Sequence, residues 1–541
     1  MDPEAANVLH TVSDRASWSR ANEKGVFPGV STVLNWSIWG EIGERGTRQA
    51  AFELGLFTQD ELEPPDSVDD WMWSIFYGRP SANVDSWRQL YERGLTATGA
   101  GGDAQRQVFG DAPSSRSAAT ASDRRAEVAA KRPDALTLAI EGMRRVRVEV
   151  EQSWRAATSE AALADTNRCE AHFAEAVSWF ERADPYHILV SLFATEAVTD
   201  ISNAAERAGL PEAANALMVG YPEMEEFQTT VALWDLSRGY LTLEAFLAAH
   251  GFHGAREGEI ASPSWREASH SIVSLARRYE SLTNADDPRR LEARAIETRA
   301  RLEQQLRAAL PADERSELDD ALERAAIFLP LRETGRATLT IALDAMRAHA
   351  RLRGSELEKK DALASADDVF LLTRHELLDL PADARERVED RRQLRETYSG
   401  FDLPETWRGM PRKQPLADNT VDHPTREAGS PALDIRLEGL GASAGIHEGT
   451  ARVVLDTREL GDDFDTGDVL IAPATDPSWA PFFLVAGAVV IDTGSNISHA
   501  AVVAREMGIP AVVGVRDASL TLRSGQRLRV DGTAGTVEVI D

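Results

Sequence analysis

The chain has 541 residues, with 88 Asp and Glu against 59 Lys and Arg, for a formal net charge of −29. That length exceeds what one hydrophobic core can serve and predicts two or three domains. The acidity excludes a broad nucleic-acid or anionic-membrane surface, which needs a basic footprint.

The single cysteine, Cys169, lies in an acidic, helix-like stretch. It cannot form an internal disulfide and reads as helix filler rather than a nucleophile. No apolar run reaches membrane-spanning length, and "MDPEAANVLHTVSD" has no signal-peptide shape, so a cytoplasmic protein is expected.

In chain order, residues 1 to about 100 are loop-rich and carry Trp18, Trp36, Trp39, Trp71, Trp73 and Trp87. Within them "GEIGERG" has glycines but no following Lys and Ser, so it reads as a turn rather than a phosphate loop. From Gly99 to about Pro133 the composition turns to Gly, Ala, Ser and Arg, as in a mobile loop. Residues 134–400 are mainly helical by pattern. "ALTLAIEGMRRVRVEVEQSW", "SIVSLARRYESL" and "TLTIALDAMRAHARL" repeat apolar positions at three and four.

The stretch "PRKQPLADNTVDHPTREAGSP", Pro411 to Pro431, is almost devoid of apolar residues and reads as an extended tether. Beyond it "GTARVVLD", "DVLIAPATD", "GAVVIDT", "PAVVGV", "QRLRVDG" and "GTVEVID" are short strand-like segments. One helix, about 499–507, interrupts them. The expected fold is therefore multidomain. A large, mainly α domain spans 1–404, a linker 405–436, and a small C-terminal α/β domain 437–541.

The helix in "DTGSNISHAAVVAREMGIPAVVG" has clear ends, with Ser498 as N-cap and Gly508 followed by Pro510 as stop. His499 then falls in the first turn, where backbone N–H groups and the helix dipole favour an anion and disfavour an imidazolium. An isolated Ser-His at a helix start is most often a cap or a surface histidine. A neutral imidazole there also suits a phosphohistidine, and the flanking sequence favours that second use. "SHAAVVAREMGIPAVVG", with "LRSGQRLRVDGTAGTVEV" after it, closely resembles the phosphohistidine domain of the phosphoenolpyruvate-utilising enzymes. "VLIAPATDPSWAPFF" looks most like the rifampicin phosphotransferase branch of that family. The resemblance implies that His499 carries the phosphoryl group, with Ser498 and Gly494 supporting the loop. One departure is Ser495 or Asn496, where many members have a second glycine.

Further upstream the likeness is thinner. "WSRANEKGVFPGVSTVLNWS", "FYGRPSANV", "HGFHGAREGEIASPSW" and "LRETGR" resemble blocks of that branch's acceptor-binding domain. The branch joins an ATP-grasp domain, an acceptor domain and a swivelling histidine domain. The sequence holds no G-x-x-x-x-G-K-[ST] loop. The resemblance therefore implies a separate ATP-grasp subunit holding ATP and Mg²⁺, as in phenylphosphate synthase-like systems, with no cofactor bound tightly by this chain. The expected activity is a dikinase-type phosphotransfer through His499 to the hydroxyl of a small organic acceptor, with an aromatic acceptor one option. Two alternatives stay open: a dehydratase or lyase in which phosphorylation activates the alcohol for elimination, and a non-catalytic binding or regulatory protein that retains the fold.

Phosphoryl transfer needs positive charge around the moving group and a base near the acceptor hydroxyl. In "LRETGR", Arg332 and Arg336 share a face if the segment is helical, and they repel unless an anion lies between them. The resemblance of this block to the rifampicin phosphotransferase branch implies that, with Glu333, they form the transfer site, although Gly335 weakens a helix there. A solvated ion-pair face is the alternative. His250, His253, Arg256, Glu257 and Glu259 form a second polar cluster. H-x-x-H with Glu could ligate a metal, but the spacing and glycines argue against it, so no metal site is expected. His253 is a candidate general base and Glu257 a candidate substrate contact, against a polar loop that locks two helices. Trp36 and Trp73 are candidates for an aromatic pocket wall, although tryptophans mostly serve cores.

Overall fold

The computed structural model describes residues 8–95, 109, 123–416, 435–457, 464–494 and 498–540, apart from 22, 212 and 223. No helix among them is long and apolar enough to cross a membrane. The main helices are α1 (Val33–Glu53), α2 (Arg125–Ala157), α3 (Cys169–Arg207), α4 (Glu225–Ser237) and α5 (Leu243–His250). They continue with α6 (His270–Tyr279), α7 (Pro288–Ala309), α8 (Arg315–Lys359), α9 (Ala384–Ser399) and α10 (His499–Met507).

The chain forms two compact units. One is Met1–Glu196 with Gly258–Ser262 and Leu331–Gln414; the other is Ala197–Glu257 with Pro263–Pro330 and Pro415–Asp541. The composition-based boundary at 404–437 marks where strand-forming sequence begins. Packing divides the chain differently, because residues 197–257 and 263–330 associate with the strand-rich part.

In the first unit a four-stranded antiparallel sheet is ordered β2-β3-β1-β4, from β1 (Ser17–Ser19), β2 (Trp73–Phe76), β3 (Arg79–Asn83) and β4 (Thr406–Arg408). Strand β4 takes residues read as the start of a linker; 417–434, the heart of that tether, lie outside the described residues. Helix α1 starts at Thr32, whose side chain accepts from Asn35 N. The Thr32 hydroxyl and amide both donate to Glu259, at 2.6 and 3.0 Å. "GEIGERG" belongs to this helix and is not a turn. Its glycines admit close neighbours: a methyl at Gly40 would run into the Trp36 indole, and one at Gly46 would overlap the Asp184 carboxyl group. The approach offsets the ~1 kcal/mol that each mid-helix glycine costs.

The loop read up to Pro133 ends sooner, since α2 begins at Arg125 and carries Pro133 inside it. Most of that loop, 96–108 and 110–122, lies outside the described residues.

The second unit holds an eight-stranded sheet. Its strands are β5 (Arg436–Glu438), β6 (Leu440–Ser443), β7 (Ile446–Val453), β8 (Val469–Ala472), β9 (Ala488–Ile491), β10 (Ala511–Val513), β11 (Arg527–Asp531) and β12 (Thr536–Val539). They are ordered β5-β12-β11-β7-β8-β9-β10-β6. Strands β7 to β10 pair in parallel and the flanking pairs are antiparallel. "VLIA" and "AVVI" are buried throughout, as central parallel strands require.

Alternate residues of these strands serve two cores. Val469, Ile471, Val490, Val512 and Leu528 line one face. Leu470, Val489, Ile491 and Val513 pack on the other with Ala500, Val503, Ala504 and Met507 of α10. That second core continues without a break into Trp234 of α4, Phe246 of α5, and Ile272 and Tyr279 of α6. The Tyr279 hydroxyl donates to Pro481 O at 2.6 Å.

Candidate phosphoryl-carrier and acceptor sites

Open parallel sheets present ligands at the carboxyl ends of their strands, and His499 lies on the segment that leaves β9 there. Two neighbouring loops are fixed by hydrogen bonds. The Thr493 hydroxyl donates to Pro473 O at 2.9 Å, and Asp492 accepts from Ser519 N at 2.8 Å. Gly494 has φ +125°, and a methyl there would lie 2.9 Å from Ser498 Oγ, so the turn into the helix needs glycine. Ser498 is extended (φ −66°, ψ 155°), its carbonyl accepts from Val502 N at 3.1 Å, and α10 begins at His499. The helix closes on left-handed Gly508, φ 67°. Ser498, Gly494 and Gly508 thus hold the backbone places read from the sequence. Ser495 and Asn496 lie outside the described residues. The first-turn N–H groups of α10 have no intrahelical acceptor, which leaves an anion-favouring end where His499 begins the helix. Arg505 anchors the other end. Its Nε donates to Ala442 O at 2.6 Å, and burial pushes the guanidinium down to about 9, with Glu506 opposing.

In the first unit, α8 runs through "LRETGR" without interruption. Gly335 serves a close approach, since a methyl there would lie 2.7 Å from His187 Nδ1 and 3.1 Å from Met143 Sδ. His187 of α3 is half-buried, and its buried Nδ1 has no hydrogen-bond partner. Burial first, then Arg332, push its imidazole down to about 4; Glu333 opposes and Arg336 adds to the fall. Asp184, one turn earlier, is buried with Oδ2 unpartnered, and burial pushes its carboxyl group up to about 7. Glu333 is buried, 3.8 Å from the Arg332 guanidinium. The structure thus brings Arg332, Glu333 and Arg336 together with a neutral histidine that the sequence reading missed. The signal was present in "ADPYHILV", where two titratable residues interrupt an apolar helix face.

The other candidates sit elsewhere. Trp73 donates to Thr47 Oγ1 at 3.0 Å and packs edge-on to Trp87. Trp36 packs on the cluster of Leu9, Val33 and Ile75. A cavity of about 320 Å³ in this unit is lined by residues including Leu138, Arg145, Val146, Arg182, Tyr186 and Leu189, and by none of the expected site residues. Cys169 is buried, and burial raises its thiol, as suits filler. His253 and Glu257 belong to the second unit. Both are buried, and His253 Nδ1 lies 2.6 Å from Glu257 Oε1.

Residues 464–535 match the mobile domain of PEP-utilising enzymes. This segment is similar to that mobile domain. Residues 240–333 match the fourth domain of rifampicin phosphotransferase, a span that includes His253, Glu257, Arg332 and Glu333. The chain is 31% identical to a rifampicin phosphotransferase of Streptomyces sviceus over 55% of its own length and 34% of the relative's. A rifampicin phosphotransferase of Bacillus subtilis is 45% identical over 19% of the chain and 12% of that protein. A phosphoenolpyruvate synthase of Aeropyrum pernix is 42% identical over 21% and 14%. The chain is thus similar to phosphotransferases and spans about a third of the Streptomyces protein. The matched segment contains Gly494, Ser498 and the start of α10 at His499.

Proposed function

We propose that this chain is the phosphocarrier and acceptor-binding part of a phosphotransferase. The observation that supports this best is a helix starting at His499 on the carboxyl side of a parallel sheet, inside a segment that matches the mobile domain. His499 attacks phosphorus with a neutral imidazole nitrogen, so an N–P bond forms as the donor P–O bond breaks. The first-turn amides hold the phosphoryl oxygens. In the second step the acceptor hydroxyl oxygen attacks, the N–P bond breaks, and the hydroxyl proton passes to a base.

Arg332 and Arg336 neutralise the moving group, and Glu333 takes the proton. Glu333 is preferred to His253 as the base because it adjoins Arg332, whereas the His253 Nδ1 is committed to Glu257. The phosphoryl group comes from ATP, with Mg²⁺, on an ATP-grasp subunit in a dikinase-type reaction. The acceptor is a small hydroxylated organic molecule.

The test is reconstitution with a candidate ATP-grasp partner and ATP labelled at the β or γ phosphorus. Acid-labile label should appear on the chain and be lost in His499→Ala. Equal labelling of that variant would overturn the carrier reading.

A further inference from the structure

We infer that Glu225, His250 and His253 form a divalent-metal site of the zinc type, oriented by Glu257. One potential ligand atom from each of the three lies within 4.8 Å of the other two. The residues come from three places in the second unit: the first residue of α4, the last of α5, and the turn that follows. In sequence alone H-x-x-H lacks the spacing of a helical zinc pair. The third donor, 25 residues before His250, is legible only in the fold.

Three features favour a metal over a plain hydrogen-bond network. First, His253 and Glu257 are 2% and 4% exposed, and their 2.6 Å hydrogen bond places the proton on Nδ1. That leaves Nε2 as a lone pair turned toward the cluster, the carboxylate–histidine arrangement that orients metal ligands. Second, His253 Nε2 and His250 Nδ1 both face Thr229 Oγ1, at 3.5 and 3.1 Å. The Thr229 hydroxyl also donates to Glu225 O at 3.1 Å, so one small side chain gathers both imidazoles at the start of α4. Third, two imidazoles and a carboxylate match zinc sites of three protein ligands, which leave a fourth position for water.

Tetrahedral ligands at zinc distances are about 3.3 Å apart. Closing the cluster therefore needs shifts of up to about 1.5 Å, within reach of side-chain rotation at the half-buried Glu225 and His250. Bound there, the ion would tie the start of α4 to the end of α5.

The test uses the full chain stripped with chelator and titrated with Zn²⁺ alone, then with Co²⁺ for its visible spectrum. One zinc per chain is expected. His250→Ala and Glu225→Gln should each weaken binding at least tenfold while retaining the helical circular dichroism, and Glu257→Gln should weaken it about 10–100-fold. No stoichiometric binding, meaning that a proton alone serves the cluster, overturns the inference. So does unchanged affinity in both His250→Ala and Glu225→Gln. His499 labelling plays no part in this readout, so the carrier proposal stands or falls separately.

Discussion

Gly335 of α8 faces His187 of α3 so closely that a methyl group on the glycine would lie 2.7 Å from the imidazole Nδ1. The residue that looks like a flaw in a helix is what lets a second helix bring its histidine beside Arg332 and Arg336. Gly335→Ala should destabilise the protein by about 1–3 kcal/mol through overpacking, read as a lower urea midpoint at unchanged slope. A loss below about 0.5 kcal/mol would mean that the helices can part at little cost.

Burial holds the Asp184 carboxyl group near 7, well above its ordinary value near 4. In the window between these values the unfolded chain has released a proton that the folded chain retains, so this group's contribution to stability falls as pH rises from about 4 to 7. Asp184→Asn removes that slope. Relative to the parent, the variant should gain on the order of 1 kcal/mol per pH unit across the window. Denaturation at pH 5, 6, 7 and 8 would show it. A parallel pair of stability curves would mean that the group titrates normally.

His187 runs the other way. With its folded value lowered to about 4, the unfolded chain binds the proton first as pH falls below 6.5, and stability is lost between about 6.5 and 4. His187→Gln should flatten the acid limb of the pH–stability profile. A variant with an unchanged acid limb would place the acid sensitivity in other groups.

If Arg332 and Arg336 neutralise the transferring group, replacing either by alanine should lower transfer to the acceptor by about 10²–10³-fold, the usual cost of removing one such electrostatic contact. Label on His499 should build up rather than vanish. Loss of both half-reactions together would assign the arginines to something other than the acceptor step.

Arg505 ties α10 to the carbonyl of Ala442 in strand β6. Arg505→Ala leaves that carbonyl without its donor and should cost about 1–3 kcal/mol, with a lower melting temperature. Equal melting temperatures would show that water takes over the bond.

Much of the strand-rich part was legible. Its strands are short Val and Ile runs between turns, and the ends of α10 are set by Ser498 and Gly508, all local signals. Strands β5 and β6 were missed because "RLE" and "LGAS" carry no apolar run; they form by pairing with β12 and β10. "GEIGERG" reads as a turn because glycine usually marks one; inside the helix its Gly46 makes room for Asp184 and its Gly40 for Trp36, contacts that leave no local signal. Long-range pairings of this kind, His187 with Gly335 and Glu225 with His250, leave no periodicity for a sequence reader to find.

The apolar face of α10 shares one core with a face of the sheet and with Trp234, Phe246 and Tyr279 on helices far earlier in the chain. The C-terminal strand-rich segment is therefore not a cassette. Grafted alone onto a relative, its last hundred residues would take an uncovered greasy flank with them, and the recipient chimera should precipitate unless residues 225–280 travel too.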